Sequence, residues 1–348
     1  MKEWEKNIRK VVPYTPGEQP QEKDIIKLNT NENPYPPSPR VLKAKAELER
    51  LRFYPDPAAC ELVKAIAEYH GLKDDQVFVG VGSDDVLAMS FLTFFNSEKP
   101  VFFPDITYSF YDVWADLFKI PYETKEVDAS FRLNARDYYE ANGGVIFPNP
   151  NAPTGLAEGL EFIKDILNHN QDVIVIIDEA YIDFGGESAV SLLDMYENLL
   201  VVRTFSKSRS MAGLRIGYAM GNADLIKALN DVKYSYNSYT MNYPSIVLGV
   251  ESIKDHDYFE NTVKRVVATR QWFEKELTKL GFTFPESSAN FVFATHKSVP
   301  AKEIFEKAKE AKIFVRYFDK PRIDNYLRIT IGTDEEMKAF AAFLKQIT

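Results

Sequence analysis

One cysteine, four histidines and three tryptophans in 348 residues leave several kinds of chemistry without material. With Cys60 alone, no disulfide can form within the chain, so oxidation offers it no internal staple. His70, His169, His256 and His296 do not fall at zinc-ligand spacing, so no metal site is expected. Long apolar runs are missing too. Val173-Ile-Val-Ile-Ile177 is far short of the ~20 residues that cross a bilayer. The first ten residues, MKEWEKNIRK, are charged and lack the apolar core of a secretory signal, so a cytoplasmic protein is expected. Basic residues are outnumbered by acidic ones, 42 to 51, giving a net charge of −9. That balance argues against general binding to nucleic acid or to a membrane surface. It leaves room for a few arginines to reverse the field inside one cleft and attract a small anionic substrate.

The chain is long enough for two domains, and its 45% hydrophobic and 27% charged residues are ordinary for a globular protein. Residues 1–45 read as an extended arm, because prolines at 13, 16, 20, 34, 36, 37 and 39 forbid a long helix. Within it, Ile25-Ile-Lys-Leu28 followed by Asn29-Thr-Asn-Glu-Asn33 predicts an ordered segment. From Pro57 onward, helical spacing (Leu62, Ile66, Tyr69, with a stop at Gly71) gives way to alternating strands and helices. Val77–Val79, Val101–Phe103, Val145–Phe147, Val173–Ile177 and Leu199–Val202 are continuous apolar runs of strand length. Runs without polar alternation suit strands buried on both faces, as in a mostly parallel sheet between helices. After about residue 250 the texture changes to a long amphipathic helix (255–280), three short strands and two helices. The expected organisation is an arm (1–45), a large α/β domain (46–250) and a small α+β domain (251–348).

The chemistry-bearing residues gather where such a sheet binds ligands, outside the carboxyl ends of its strands. Asp178 follows the strand at Val173, in Asp178-Glu-Ala-Tyr181. Asn149-Pro-Asn-Ala-Pro-Thr-Gly155 follows the strand at Val145. Lys207 follows the strand at Leu199, in Arg203-Thr-Phe-Ser-Lys-Ser-Arg-Ser-Met-Ala-Gly-Leu-Arg-Ile-Gly217. A lysine desolvated among hydroxyls can form a Schiff base with an aldehyde, while the hydroxyls and Arg215 suit a phosphate. Gly80-Val-Gly-Ser-Asp-Asp85 opens a helix, so its N–H groups also suit a phosphate. With Asp85 in its sixth position it misses the dinucleotide fingerprint. An amine, a carboxylate, an amide and a phosphate cradle are the polar set that pyridoxal 5'-phosphate (PLP) needs.

With these segments the chain resembles the fold-type I, class I/II PLP-dependent aminotransferases over nearly its whole length. The arm KLNTNENPYPPSP, together with VRYFDKPRIDNYLRITIGT near the end, points to the histidinol-phosphate branch of that family. The resemblance implies that Lys207 holds PLP as a Schiff base, Asp178 pairs with its pyridine nitrogen, and Tyr181 bonds its phenolate oxygen. It implies further that Tyr108 stacks on the ring, and that Ser83, Asp84, Ser206 and Arg215 hold the phosphate. Tyr54 would reach the cofactor phosphate of a neighbouring subunit, making a homodimer part of the machinery. Arg328 would grip the carboxylate of the amino-acid partner, Arg316 that carboxylate or the substrate phosphate, and Asn33 would close over the phosphate.

Two positions depart from the family pattern. Ala152 stands where many relatives carry an asparagine that contacts the phenolate oxygen; either Asn151 supplies that amide through a shifted turn, the favoured reading, or Tyr181 serves alone. Ile106 replaces a frequent proline, which alters only the stiffness of the turn before Tyr108. The implied reaction is ping-pong amino transfer between L-histidinol phosphate and 2-oxoglutarate, as in histidine biosynthesis, giving imidazole-acetol phosphate and L-glutamate. An aromatic or broad-specificity aminotransferase, or a PLP-dependent decarboxylase of the threonine-phosphate type, shares the same cofactor residues and stays open at this point.

Overall fold

The computed structural model describes residues 9–15, 18–20, 22, 24–44 and 46–348. The arm enters as a short strand, β1 (Ile26–Lys27), parallel to Ile313–Phe314, and then turns through a single helical stretch, α1 (Pro39–Lys43). Leu28 extends this attachment: its N–H donates to Phe314 O at 2.7 Å, and its C=O accepts from Thr330 N at 2.9 Å. Buried backbone groups must be paired, and here the arm finds its partners in a sheet made about 300 residues later. The ordered arm read from Ile25–Asn33 lies within the described residues, whereas residues 1–8 of its expected span lie outside them.

Beyond α2 (Cys60–His70), which stops at left-handed Gly71, the chain builds a seven-stranded sheet. Its strands are β2 (Val77–Gly80), β3 (Val101–Pro104), β4 (Tyr122–Lys125), β5 (Gly144–Pro148), β6 (Val175–Asp178), β7 (Leu199–Thr204) and β8 (Gly217–Gly221), in the spatial order β2-β8-β7-β6-β5-β3-β4. All are mutually parallel except β8, which runs antiparallel to both of its neighbours. β5 and β6 are wholly buried because helices cover both faces: Val145, Phe147, Val175 and Ile177 pack on one side, Ile146 and Ile176 on the other. Each such aliphatic side chain contributes about 1.5–3 kcal/mol relative to exposure. The helices over this sheet are α3 (Ser83–Phe94), α4 (Tyr111–Phe118), α5 (Leu160–His169), α6 (Ala223–Tyr236) and α7 (Tyr243–Lys254).

Two strands of this sheet were not foreseen in the sequence. β4 is a mostly exposed polar edge, Tyr-Glu-Thr-Lys, without the apolar run of its neighbours. β8 is bounded by glycines and returns directly from β7 through residues 205–216, a hairpin inside a sheet otherwise wound by crossovers. That loop carries Lys207.

A helix of 24 residues, α8 (His256–Lys279), leads to a four-stranded antiparallel sheet, β12-β13-β10-β9. It comprises β9 (Phe282–Thr283), β10 (Phe291–His296), β12 (Arg316–Tyr317) and β13 (Leu327–Thr330), while β11 (Ile313–Phe314) peels off to meet the arm. Here the expected single strand 313–317 is two, serving different sheets. α9 (Ala301–Glu310) and α10 (Asp334–Ile347) cover this sheet, and α10 starts at a reciprocal Thr333–Glu336 capping box. Its core also takes in Leu28 of the arm and Tyr181 and Phe184 from the loop after β6. No helix among the described residues is long and apolar enough to cross a membrane.

Candidate active site

One end of the large sheet assembles the site. Gly80, Gly217, Thr204, Asp178 and Pro148 all sit at the same edge, set there by the pairings Gly80–Gly217, Thr204–Gly217 and Pro148–Asp178. Above it lies a cavity of about 170 Å³ lined by Thr30, Ser83, Asp84, Tyr108, Asp178, Tyr181, Ser206, Lys207 and Arg215 among others. Residues from six segments, far apart in the chain, meet there.

Asp178 is 4% exposed, and no cation lies within ion-pair distance of it among the described residues. Its Oδ2 accepts from the Tyr111 hydroxyl at 3.0 Å and its Oδ1 from Ala180 N at 3.3 Å. Burial pushes its carboxyl up to about 7, outweighing the downward pull of these two donors. Such a carboxylate at a cavity wall is a place for a cationic partner. Lys207 Nζ enters the same cavity, donating to Thr30 O at 3.2 Å and lying 5.7 Å from the centre of the Tyr181 ring.

The lysine loop is held from several sides. Asn33 Nδ2 donates to Lys207 O and to Ser208 O, both at 3.1 Å. The Ser208 hydroxyl donates to Asp183 at 2.5 Å, and Asp183 is tied through Arg203 to buried Glu179. Next along the loop, buried Arg209 donates to Ser252 O and lies over the rings of Phe259 and Tyr69. His70 nearby is pushed down to about 3 by burial and by the charges of Arg203 and Arg209. It is therefore neutral near pH 7 and no proton donor.

The phosphate-like end is shaped by glycine. A Cβ on Gly217 would stand 2.3 Å from Gly82 C and Ser83 N, so β8 can press against the turn only without a side chain. Gly82 has φ +87°, and a Cβ there would meet Arg215 Nη2 at 2.4 Å. The turn delivers the first N–H groups of α3, at Ser83 and Asp84, which a helix leaves without internal partners. Arg215 arches over it, its Nη2 3.2 Å from Asp84 Oδ2, and Asp84 Oδ1 accepts from the Tyr108 hydroxyl at 2.7 Å. Ser206 Oγ accepts from Thr204 Oγ1 at 3.0 Å.

A second cavity of about 330 Å³ adjoins the first, sharing Tyr108 and Ala152 with it. Arg316, Lys320, Arg322, Arg328 and Tyr14 line it. Arg322 is engaged with Asp105 at 2.7 Å, whereas neither Arg316 nor Arg328 has an acidic partner among the described residues. Arg328 donates once, to Asn29 O at 3.1 Å, and its buried Nε has no partner.

The structure thus brings Lys207, Asp178, Tyr181, Tyr108, Ser83, Asp84, Ser206 and Arg215 around one cavity and Arg316 and Arg328 around its neighbour. Three others lie elsewhere. Asn33 lines neither cavity, its amide being committed to the lysine loop. Asn151 lines neither cavity, its Nδ2 donating to Ile106 O at 3.0 Å and Thr154 Oγ1 at 3.1 Å, and Ala152 stands at the walls instead. Tyr54 is 80% exposed and stacks on Tyr239, with ring centres 4.5 Å apart. Sequence reasoning passed over Thr30, which acts through a backbone carbonyl, and Tyr111, whose place one helical turn after Tyr108 was the available signal.

Comparison with known proteins identifies the family. The profile of the family described as "Aminotransferase class I and II" matches residues 23–344. A "Histidinol-phosphate aminotransferase" of Clostridium botulinum (strain Okra / Type B1) is 51% identical over 348 residues, covering 99% of this chain and 98% of that one. One from Clostridium acetobutylicum is 52% identical over 345 residues, covering 99% and 98%. Among solved structures, a histidinol-phosphate aminotransferase of Clostridium acetobutylicum superposes with a TM-score of 0.86 at 24% identity, over 93% of this chain and 99% of that chain. One from Sinorhizobium meliloti, in complex with pyridoxal-5'-phosphate, gives 0.85 at 22% identity, over 93% and 90%. At those identities the structures speak for the fold alone. The family profile and the relatives half identical along the whole length decide the matter: this chain belongs to the class I and II aminotransferases, enzymes that work with pyridoxal phosphate.

Proposed function

We propose that this aminotransferase moves an amino group reversibly between L-histidinol phosphate and 2-oxoglutarate, giving imidazole-acetol phosphate and L-glutamate. One observation carries the reading: a cavity with Lys207 and a cation-free buried Asp178 opens beside a second in which Arg316 and Arg328 lack acidic partners. The first fits PLP, whose protonated ring nitrogen is the partner Asp178 lacks and whose phosphate suits the Gly82–Ser83 turn. The second suits a doubly anionic substrate. Relatives half identical over the full length bear the name of this activity.

When bound, PLP supplies an aldehyde that captures amines and a ring that withdraws electrons from the adjoining carbon. The protein's own residues do the rest. Asp178 would hold a proton at the ring nitrogen, with Tyr111 steadying the carboxylate. Tyr181 would donate to the ring oxygen, and Tyr108 would lie against the ring. Ser83, Asp84, Ser206 and Arg215 would hold the phosphate, Ser83 and Asp84 through their N–H groups. The Lys207 amine would take the proton from the substrate Cα as base and return it as acid to the cofactor carbon that carries the amino group. Arg328 and Arg316 take the carboxylate or phosphate of each substrate in turn, which suits the two-oxygen fork of a guanidinium. One site serving both substrates gives ping-pong kinetics. In this reading Asn33 clamps the lysine loop rather than the substrate phosphate, and no amide from Asn151 reaches the ring oxygen.

We further read the chain as an arm (1–45), a large domain (46–250) and a small domain (251–348), which the two separate sheets and their cores support. We propose a homodimer in which Tyr54 reaches the partner's phosphate site. Exposed Leu51, Phe53 and Tyr54, at 55%, 57% and 80%, form an apolar face outside the Lys207 and Arg328 cavities. We place the reaction in the cytoplasm, where both substrates are soluble metabolites.

The test is to mix yellow, PLP-loaded enzyme with histidinol phosphate alone and follow the loss of the cofactor's visible absorbance. 2-Oxoglutarate should restore the colour. Phenylalanine at equal concentration should react far more slowly. Release of CO2 without need for an oxo acid would overturn the proposal in favour of a decarboxylase.

A further inference from the structure

The Tyr181 side of the Lys207 cavity is built from three parts of the chain. Tyr181 is 8% exposed, lines the cavity, and meets Asn31 Nδ2 through its hydroxyl at 3.0 Å. The hydroxyl has no other hydrogen-bond partner among the described residues. Asn31 comes from the arm, is 1% exposed, and has φ +56°, a left-handed conformation that asparagine tolerates better than most side chains.

Thr330, at the end of β13, decides which end of the Asn31 amide faces which neighbour. The Thr330 hydroxyl accepts from the Asn31 backbone N–H at 3.0 Å and donates its single hydrogen to Asn31 Oδ1 at 2.9 Å. Oδ1 is therefore an acceptor, and the end that reaches Tyr181 is the NH2 group, which can only donate. Asn290 Nδ2 fixes the same residue from another side, donating to Asn31 O at 3.1 Å. A phenol that accepts on one side has its own hydrogen turned to the other, and the other side here is the cavity. No amide competes there: Ala152 presents a methyl, and Asn151 Nδ2 faces Ile106 O.

We propose that Asn31, locked by Thr330, fixes the Tyr181 hydroxyl as a donor into the Lys207 cavity, so that the arm and the small sheet position the group facing the cofactor's ring oxygen. The proposal rests on the PLP reading above. Asn31 and Thr330 are positioning residues, since they act through Tyr181. A donor on the ring oxygen draws negative charge away from the adjoining Lys207–cofactor linkage, which then loses its proton at lower pH. Turning that donor away raises the midpoint of the linkage's titration. The same chain of bonds joins β13, the arm and the loop after β6, so a shift of the small sheet is felt at Tyr181.

The experiment is a pH titration of the visible absorbance of the loaded enzyme in a mutant cycle. Asn31→Asp replaces the donating NH2 by an acceptor that pulls the Tyr181 hydrogen away from the cavity. The midpoint should rise by about one to two pH units, the scale of a lost hydrogen bond to a charged group. In a Tyr181→Phe background the same substitution should move the midpoint less than half as far. Equal shifts in both backgrounds would mean that the new charge acts directly, and would overturn the proposal, as would an unmoved midpoint in Asn31→Asp. Thr330→Val adds no charge and frees the amide to turn. Its midpoint should rise by about half a unit with Tyr181 present and stay still without it, which keeps the test decisive if Asn31→Asp fails to fold. A wild-type enzyme that showed no titrating chromophore would instead overturn the PLP reading itself.

Discussion

The two adjoining cavities are opposites in construction. Around Lys207 the side chains are engaged with protein: Tyr108 with Asp84, Tyr111 with Asp178, Asn33 with the lysine loop, and Ser208 with Asp183. In the second cavity Arg316 and Arg328 have no acidic partners among the described residues, although Arg322 is paired with Asp105, and the walls include Phe318 and Tyr14. The first cavity sits on the ends of a buried sheet and carries fixed chemistry. The second is lined largely by loops and a short two-residue strand, and its unpaired charges await an anion. In the proposed function the first cavity decides what reaction occurs, and the second decides on whom.

Substitutions should divide along the same line. The largest effect is expected from Lys207→Ala, which should lower kcat by about 10⁴-fold or more and abolish borohydride fixation of PLP to the chain. Labelling of a different lysine in the wild-type enzyme would refute this assignment. Asp178→Asn should lower kcat by about 10²–10⁴-fold with little change in KM, as befits a group acting on the ring rather than on the substrate. In the second cavity Arg328→Ala should lower kcat/KM for both substrates by about 10²-fold, the loss of a charge-assisted bidentate contact. Arg328→Lys should recover only part of it. An Arg328 effect confined to kcat would break the division between chemistry and recognition.

A smaller effect concerns stability without cofactor. The Asp178 carboxyl is pushed up to about 7 in the folded protein, so between about pH 4 and 7 the folded chain binds a proton that the unfolded chain has lost. Stability of the cofactor-free protein should therefore fall as pH rises through that window, by on the order of a few kcal/mol, and level off above it. Urea denaturation should show Asp178→Asn gaining on the wild type from pH 5 to pH 8, and PLP should remove the difference. Least of all, Ser208→Ala should reduce stability by about 1 kcal/mol while leaving KM for both substrates unchanged.

The first cavity was also the more legible in sequence. Strands buried on both faces appear as continuous apolar runs, and Asp178 and Lys207 come directly after two of them, so their meeting follows from the sheet. What stayed hidden works through groups with no sequence signature. Thr30 contributes a carbonyl, and Asn31 depends on a left-handed turn and on Thr330, 299 residues away. Asn151 and Ala152 show the limit from the other side: position in a motif suggested an amide at the ring oxygen, but the buried Asn151 amide donates to Ile106 O and Thr154 Oγ1 and lines neither cavity. β8 escaped notice because Gly-Tyr-Ala-Met-Gly reads as a turn until the Gly217–Ser83 contact gives its glycines a purpose.

The attachment of Leu28 to both Phe314 and Thr330 has a mechanical meaning. The stretch bearing Thr30 and Asn31 is stitched to the small sheet like an extra thread, through β1 against β11 and Leu28 against Thr330, and the Thr30 carbonyl in turn holds Lys207 Nζ. In the proposed reaction, lifting this thread would strip the lysine of that contact.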